Sequence, residues 1–298
     1  MVAVVTHCDH PEETIWFGSV AALAASREIP VLTPDDPNVA AFVEEVRGLR
    51  PDLILSFYYR RLLSPALLAI PRLGAINLHG SLLPRYRGRA PLNWALVRGE
   101  TVTGVTLHHM DAQADHGDII AQRAVPIVIE DTALTLARKL TVAARTLLAE
   151  TYPLIVAGRA PRTLQDHAAA TTFRRRTPAD GLIDWFRSAW EVYNLIRAVT
   201  RPFPGAFTFW EGRRITLWAA RPPRGWPSPA PPGTILGVGE VGALEVATGD
   251  GVLEVLRLQP EEGVETDGVT FLSTLQPGAT AGFFSAAPQT VHGERSGH

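Results

Sequence analysis

Lysine is almost missing from this chain. Lys139 is the only one in 298 residues, and arginine carries the rest of the positive charge. We read that bias as genome composition and draw no chemistry from it. Cysteine is equally scarce: Cys8 stands alone, which excludes an internal disulfide framework and any zinc site built mainly on thiolates, and fits a reducing compartment. No uninterrupted apolar run approaches the roughly 18 residues that a membrane span needs. The opening MVAVVTHCDHPEET reaches acidic residues after a short apolar run, unlike a secretory leader, so a cytoplasmic location is expected. A large net charge is also lacking. With a formal charge of -2 and a pI near 6.5, the chain has no global attraction for phosphate backbones or anionic membranes, so an anionic ligand must be held by local charges. The expected partner is a small molecule rather than nucleic acid.

What is present is enough apolar material, 46% of residues, to bury a full core in a chain long enough for two domains. Short apolar runs at Ala3 to Thr6, Leu53 to Phe57 and Ala75 to Leu78 read as strands, with helical patterns near Gly18 to Ser26 and Pro37 to Leu49 between them. That alternation predicts an α/β fold with a parallel sheet. A further strand pair is expected at Gly104 to His109 and Ile119 to Val125. Thr132 to Thr151 then carries Leu136, Leu140, Ala143 and Leu147 on one stripe at helical spacing, and Pro153 reads as its end. The polar, arginine-rich stretch Ala160 to Asp184 reads as a linker, and its run Arg174 to Arg176 as solvated. A helix over Ala189 to Val199 follows. Beyond Phe207 come short runs, ITLWAA, GTILGV, ALEVAT and VLEVLRLQ, separated by Gly and Pro, which predict a small β-barrel or sandwich. Trp185, Trp190 and Trp218 read as core or domain-interface residues. The domains are placed at 1–178 and 179–285, with a flexible tail over 286–298.

The densest polar segment is INLHGSLLPRYRGRAPLNWALVRGE, Ile76 to Glu100. Residues two apart in a strand project from one face, so Asn77 and His79 can aim together at a point beyond the strand's carboxyl end, where open α/β sheets bind ligands. A turn-rich loop then supplies backbone donors and the cations Arg85, Arg87 and Arg89. Acyl transfer to an amine needs a donor for the developing oxyanion, a base for the amine's proton, and a group that holds that base ready. Asn77 and His79 supply the first two by type. ADHGDII offers Asp115, in a loop between two predicted strands, as the third. Taken alone, His79 reads as a core histidine and Asp115 as a turn residue; their company argues for catalysis.

These residues carry a resemblance. Asn77-Leu78-His79, Ser81-Leu82-Leu83-Pro84, Tyr86-Arg87-Gly88 and Asp115-His116-Gly117 resemble the motif of the folate-dependent formyltransferases. THCDHPEETIWFGSVAALAA, SFYYRRLL, RGRAPLNWALVRGETVTGVTLH, RRTPADGLIDW and NLIRAVTRPFPGAF extend the likeness over most of residues 6 to 220. They are similar to the formyltransferase domains of bifunctional polymyxin-resistance enzymes, which act on UDP-4-amino-4-deoxy-L-arabinose in lipid A modification.

The resemblance implies a Rossmann-like formyltransferase domain followed by a small OB-like barrel. It implies 10-formyltetrahydrofolate as co-substrate, with no metal, and a sugar nucleotide as acceptor. His79 would be the base or acid, Asn77 the transition-state stabiliser, and Asp115 the carboxylate that favours protonated His79. Arg61, Leu62 and Leu63 match a folate-contacting loop. Arg89 and the run Asp111, Ala112, Gln113, Ala114 match further cofactor or substrate contacts. The family also has a strand and helix ahead of the THCDHP-like segment, on the order of two dozen residues, so the true start is expected upstream of Met1. The bifunctional relatives' dehydrogenase-type domain has no counterpart here, which resembles a stand-alone formyltransferase.

Competing readings follow from the same residues. His108, His109, Asp111 and His116, or His7, Cys8, Asp9 and His10, suggest a metal by type, but adjacent strand residues such as His108 and His109 face opposite ways. Methionyl-tRNA formyltransferase shares the motif but must hold a polyanion. From Leu182 onward there are nine arginines, no lysine and twelve acidic residues, which disfavours tRNA. A hydrolase releasing formate from the folate, and a folate- or nucleotide-binding protein without turnover, complete the set.

Overall fold

A computed structural model describes residues 1–8, 16–225, 227–274 and 282–283. The tail 286–298, and Asp9 and His10 of the first histidine cluster, lie outside the described residues. Contacts divide the chain into two compact units, one of residues 1–92, 101–127 and 136–175, the other of residues 93–100, 128–135 and 176 onward.

The first unit opens with β1 (Val4–Val5), α1 (Val20–Ala25), β2 (Val31–Leu32), α2 (Ala40–Gly48), β3 (Ile54–Phe57), α3 (Pro65–Leu68) and β4 (Ala75–His79). Its helices start where the sequence provides caps. Ser19 accepts from the Ala22 N–H, and Ser64, ahead of Pro65, accepts from the Leu67 N–H. One face of α2 buries Phe42, Val43 and Val46 with Leu67 of α3, and Val5, Leu32, Leu63 and Ile70 pack around them. Each such side chain contributes about 2 kcal/mol through lost water contact.

After β5 (Arg87–Gly88) and α4 (Pro91–Val97) come β6 (Val102–His109), β7 (Ile119–Pro126), α5 (Ala133–Val156) and β8 (Thr172–Phe173). β1 and β2 pair in parallel as a two-stranded sheet, and a four-stranded sheet runs in the order β3-β4-β6-β7. Only β3 and β4 are parallel there; β6 and β7 extend the sheet antiparallel. The expected parallel α/β sheet is thus present in mixed form, because the eight-residue β6 and β7 need only a loop between them, not a helical crossover.

Two expectations fail. α5 does not stop before Pro153 but runs through it to Val156. A helix loses one N–H donor at a proline, and here the following turn still closes, with the Ala157 N–H on the Pro153 carbonyl at 3.1 Å. The stretch read as a linker is built structure: it holds a short 3-10 turn at His167–Ala169, β8 paired in parallel with β5, and a second turn at Pro178–Gly181.

The second unit carries α6 (Ala189–Val199), β9 (Ala206–Trp210), β10 (Arg213–Ala220), β11 (Ile235–Val238), β12 (Leu244–Ala247), β13 (Val252–Pro260) and α7 (Gly268–Ser273). Ser188 and Glu191 form a reciprocal capping box at the start of α6. The five strands make an antiparallel sheet in the order β11-β12-β13-β10-β9, with Ile215, Leu217, Leu244, Val246, Leu253 and Val255 buried. Residues 93–100 and 128–135 fold with this unit. Asn93 Nδ2 donates to the Ala198 carbonyl at 2.7 Å, and the Tyr193 hydroxyl donates to the Ile129 carbonyl at 2.8 Å. Trp185 is buried, as a core residue would be, whereas Trp190 is 41% exposed. Arg174 and Arg175 are exposed, while the Arg176 guanidinium lies over the Trp94 ring at 4.7 Å. Among the described residues no helix is long and apolar enough to cross a membrane.

Candidate active site

β4 delivers Asn77 and His79 to its carboxyl end two residues apart, as the strand period requires. In the antiparallel pairing with β6, Asn77 lies opposite His108 and His79 opposite Thr106. The loop between β6 and β7 brings Asp115 to the same place. Asp115 Oδ1 stands 3.3 Å from His79 Nδ1 and 3.6 Å from His108 Nε2, and Asn77 Nδ2 is 3.1 Å from that same His108 Nε2. The structure therefore gathers Asn77, His79 and Asp115 into one cluster, joined by His108, which sequence reading had weighed only for metal.

Asp115 adopts a left-handed backbone at φ 56, a conformation Asp tolerates better than most residues. It turns the carboxylate inward. Burial alone would raise its pKa, but the contact from His79, the charge on His79 and the Gly88 N–H outweigh burial and hold the carboxyl far below the ordinary carboxylate range. His79 is held at both nitrogens: Nε2 lies 2.7 Å from the Tyr86 carbonyl, and Nδ1 faces Asp115. Both partners are acceptors only, so each favours an N–H on the ring nitrogen that faces it.

The loop after β4 is pinned from below. Ser81 Oγ donates to the Arg85 carbonyl at 2.6 Å, and Thr106 Oγ1 donates to the Ser81 carbonyl at 2.6 Å. Tyr86 stacks on Phe173 of β8 with ring centres 4.9 Å apart. Gly88, at φ 91, runs so close to β8 that a Cβ would sit 2.3 Å from the Phe173 carbonyl oxygen; only glycine fits. Its N–H donates to Asp115 Oδ2 at 2.8 Å.

The family is decided by comparison with known proteins: the family model described as formyl transferase matches residues 1–152, and that of the formyl transferase C-terminal domain matches residues 175–276. The chain belongs to the formyl transferase family. Its fold is shared with HypX from Aquifex aeolicus, solved in complex with tetrahydrofolic acid, at 21% identity and a TM-score of 0.60. That match covers 86% of this chain and 44% of HypX, so the chain spans less than half of that protein's length. An N-formyltransferase from Helicobacter canadensis, solved with folinic acid and dTDP-3-aminofucose, matches at 21% identity and a TM-score of 0.64, covering 85% of this chain and 87% of the other. A methionyl-tRNA formyltransferase from Clostridium thermocellum matches at 22% identity and a TM-score of 0.54, with coverage of 69% and 88%. At these identities the likeness is one of fold.

Within this member of the family, the remaining residues that the sequence singled out lie in the loops after β3, β5 and β6. Arg61 and Leu62 are exposed in the loop after β3, whereas Leu63 is half-buried against the α2 core. Asn38 fixes that loop, donating to the Leu62 carbonyl at 3.0 Å and accepting from the Ser64 N–H at 2.7 Å. Arg89 is exposed and reaches the Arg60 carbonyl at 3.0 Å. Asp111 accepts from the Gln113 N–H at 2.8 Å and lies 3.1 Å from His116 Nδ1, with Ala112, Gln113 and Ala114 exposed beside it. Among the described residues no group of three or more His, Cys, Asp or Glu is placed to hold a metal.

Sequence reading missed the anchors of the Asp115 loop. Gln165 Nε2 donates to the Asp115 carbonyl at 2.9 Å and to the Gly117 carbonyl at 2.7 Å, while its Oε1 accepts from Arg87 Nη2 at 2.6 Å. The rings of His116 and His167 stack 4.0 Å apart over the same loop. Gln165 and His167 belong to the stretch dismissed as a linker, and no local pattern marked them.

Proposed function

We propose that this protein transfers a formyl group from 10-formyltetrahydrofolate to the amine of a UDP-linked amino sugar, with UDP-4-amino-4-deoxy-L-arabinose the first candidate, as a step in lipid A modification and polymyxin resistance. The observation that carries formyl transfer is the convergence of Asn77, His79 and Asp115 at the carboxyl end of β4. Asn77 supplies an amide N–H for the oxyanion that forms as the amine adds to the formyl carbon. His79 takes the amine's proton and passes it to the folate nitrogen as that nitrogen's bond to the formyl carbon breaks, releasing tetrahydrofolate and the formamide, while Asp115, ionised throughout, balances the charge His79 carries in between.

The residues beside the cluster fit a folate. Phe57, Tyr58 and Leu62 are exposed at the carboxyl end of β3, next to the strand that bears Asn77. They offer an apolar platform for a flat heterocycle, while Arg61 and Arg89 offer guanidinium groups for carboxylates. When bound, the folate supplies the activated formyl group.

The sugar-nucleotide acceptor rests on two supports: the wording of segments such as RGRAPLNW, and the fold shared with an enzyme that holds a dTDP amino sugar. The fold shared with a methionyl-tRNA formyltransferase favours tRNA as a second acceptor, against which stand the acidic residues that outnumber arginine beyond Leu182. Mass spectrometry of products from a panel of UDP- and dTDP-amino sugars, methionyl-tRNA and water separates these acceptors. A mass gain of one formyl group on a UDP-amino sugar is the expected result. Formylation of methionyl-tRNA with every sugar refused, or release of formate alone, overturns the proposal.

A further inference from the structure

The amide of Asn77 has two ends, and only one of them helps an oxyanion. An N–H directed at the reacting carbonyl stabilises developing negative charge, whereas the amide oxygen in that place repels it. Some neighbour must fix which end faces out.

His108 does so by its own hydrogen bonding. The ring is 2% exposed, and its Nδ1 lies 2.8 Å from the His109 carbonyl. A carbonyl only accepts, so Nδ1 carries the proton. In the neutral ring Nε2 is then a bare lone pair. That lone pair faces Asn77 at 3.1 Å, and it accepts an N–H from Nδ2 but repels Oδ1. The second N–H of Nδ2 remains free for the substrate.

We propose that His108 is a positioning residue of the reaction, a neutral Nδ1-protonated imidazole whose Nε2 orients the Asn77 amide with its N–H toward the formyl group. The proposal rests on the formyl-transfer reading for its consequence, although the hydrogen-bond arrangement itself does not. The charged and titratable groups facing His108 are Asp115 from the β6–β7 loop, at 3.6 Å, and, sharing that carboxylate oxygen, His79 of β4; His109 adjoins it on β6. A proton added to Nε2 would point to Asp115 and meet the Asn77 amide donor head-on. The amide would then turn over.

The test has an arm that needs no turnover and one that does. In the intact wild-type protein, nitrogen NMR of the histidine rings is expected to place the His108 proton on Nδ1 near neutral pH, and His108→Phe is expected to shift the Asn77 side-chain amide signals. A proton found on Nε2, or an Asn77 amide indifferent to the substitution, overturns the proposal whether or not any acceptor is formylated. In the kinetic arm, His108→Phe should lower kcat on the order of 100-fold, the loss typical of one oxyanion donor, with KM for both substrates nearly unchanged. His108→Gln, whose carbonyl still accepts from Asn77, should recover most of that loss. In an Asn77→Ala background, His108→Phe should cost little more, because the group it orients is gone. If the two losses simply multiply, or KM carries them, His108 is a packing residue and the proposal fails. A wild-type protein that formylates nothing defeats the proposed function instead, and the NMR arm still decides the tautomer.

Discussion

The Gly88 N–H donates to Asp115 Oδ2 at 2.8 Å, so the loop that leaves β4 grips the carboxylate that the β6–β7 loop delivers. Two residues earlier, the Tyr86 carbonyl meets His79 Nε2 at 2.7 Å. One short stretch of backbone therefore touches both members of the His79–Asp115 pair. It sets their separation without adding a side chain to the site.

Gly88→Ala tests that backbone. The new methyl would fall 2.3 Å from the Phe173 carbonyl oxygen at a φ of 91, so β5 must move away from β8 and carry its N–H off Asp115. Displacing a group by about 1 Å typically costs on the order of 100-fold in rate. We expect a kcat loss of that size with a folded protein by circular dichroism. A variant as active as wild type removes this backbone from the mechanism.

Asn77→Ala should lower kcat by about 100- to 1000-fold, equivalent to roughly 3 to 4 kcal/mol of transition-state stabilisation. Folate affinity measured by equilibrium binding should stay within a few-fold. Matching losses in affinity and rate would instead make Asn77 a binding contact.

Asp115→Asn separates charge from shape. Its rate should fall far more than its substrate affinity, since only the carboxylate balances charge on His79.

The same carboxylate links stability to pH. Because its folded pKa is depressed, Asp115 contributes stability that is complete above the unfolded value of about 3.9 and is lost as pH falls below that toward the folded one. Urea midpoints at pH 7 and pH 3 should therefore drop more for wild type than for Asp115→Asn. Equal drops would show that Asp115 is not held in its ionised form by the fold.

Arg197, in the second unit, offers a contrast. It is buried on α6, with Nε on Asn194 Oδ1 at 2.8 Å and Nη1 near the carbonyls of Val128, Ile129 and Asp131 at 3.2 to 3.3 Å. Burial pulls its pKa below the usual range, against the charges of Tyr193, Asp131 and Glu130. Arg197→Met removes the charged donor that the Val128 and Ile129 carbonyls share with the Asp131 N–H and the Tyr193 hydroxyl, and should cost about 2 kcal/mol in urea unfolding of the second unit. An unchanged midpoint would mean that water replaces the guanidinium there.

Local pattern carried much of this protein. The period of two in AINLH puts Asn77 and His79 on one strand face, the stretch Ala189 to Val199 reads as the helix α6, and short apolar runs find β10, β12 and β13. These are properties of a few adjacent residues, so no partner is needed to read them. Pro153 misled for the same reason: its helix-breaking tendency is local, and the turn that closes after it is held in spite of it.

Pairing between distant segments is a different kind of information. That His108 stands opposite Asn77 follows only from the antiparallel register of β4 and β6, and that Gln165 holds the Asp115 loop follows only from a contact across 50 residues. The chain alone determined which side chains could do acyl-transfer chemistry, because reactivity belongs to residue type and strand geometry to near neighbours. Folding decided the tautomer-setting partners, the ionised carboxylate and the backbone that fixes them, because hydrogen-bond distances and burial exist only once remote segments have been brought within a few ångströms.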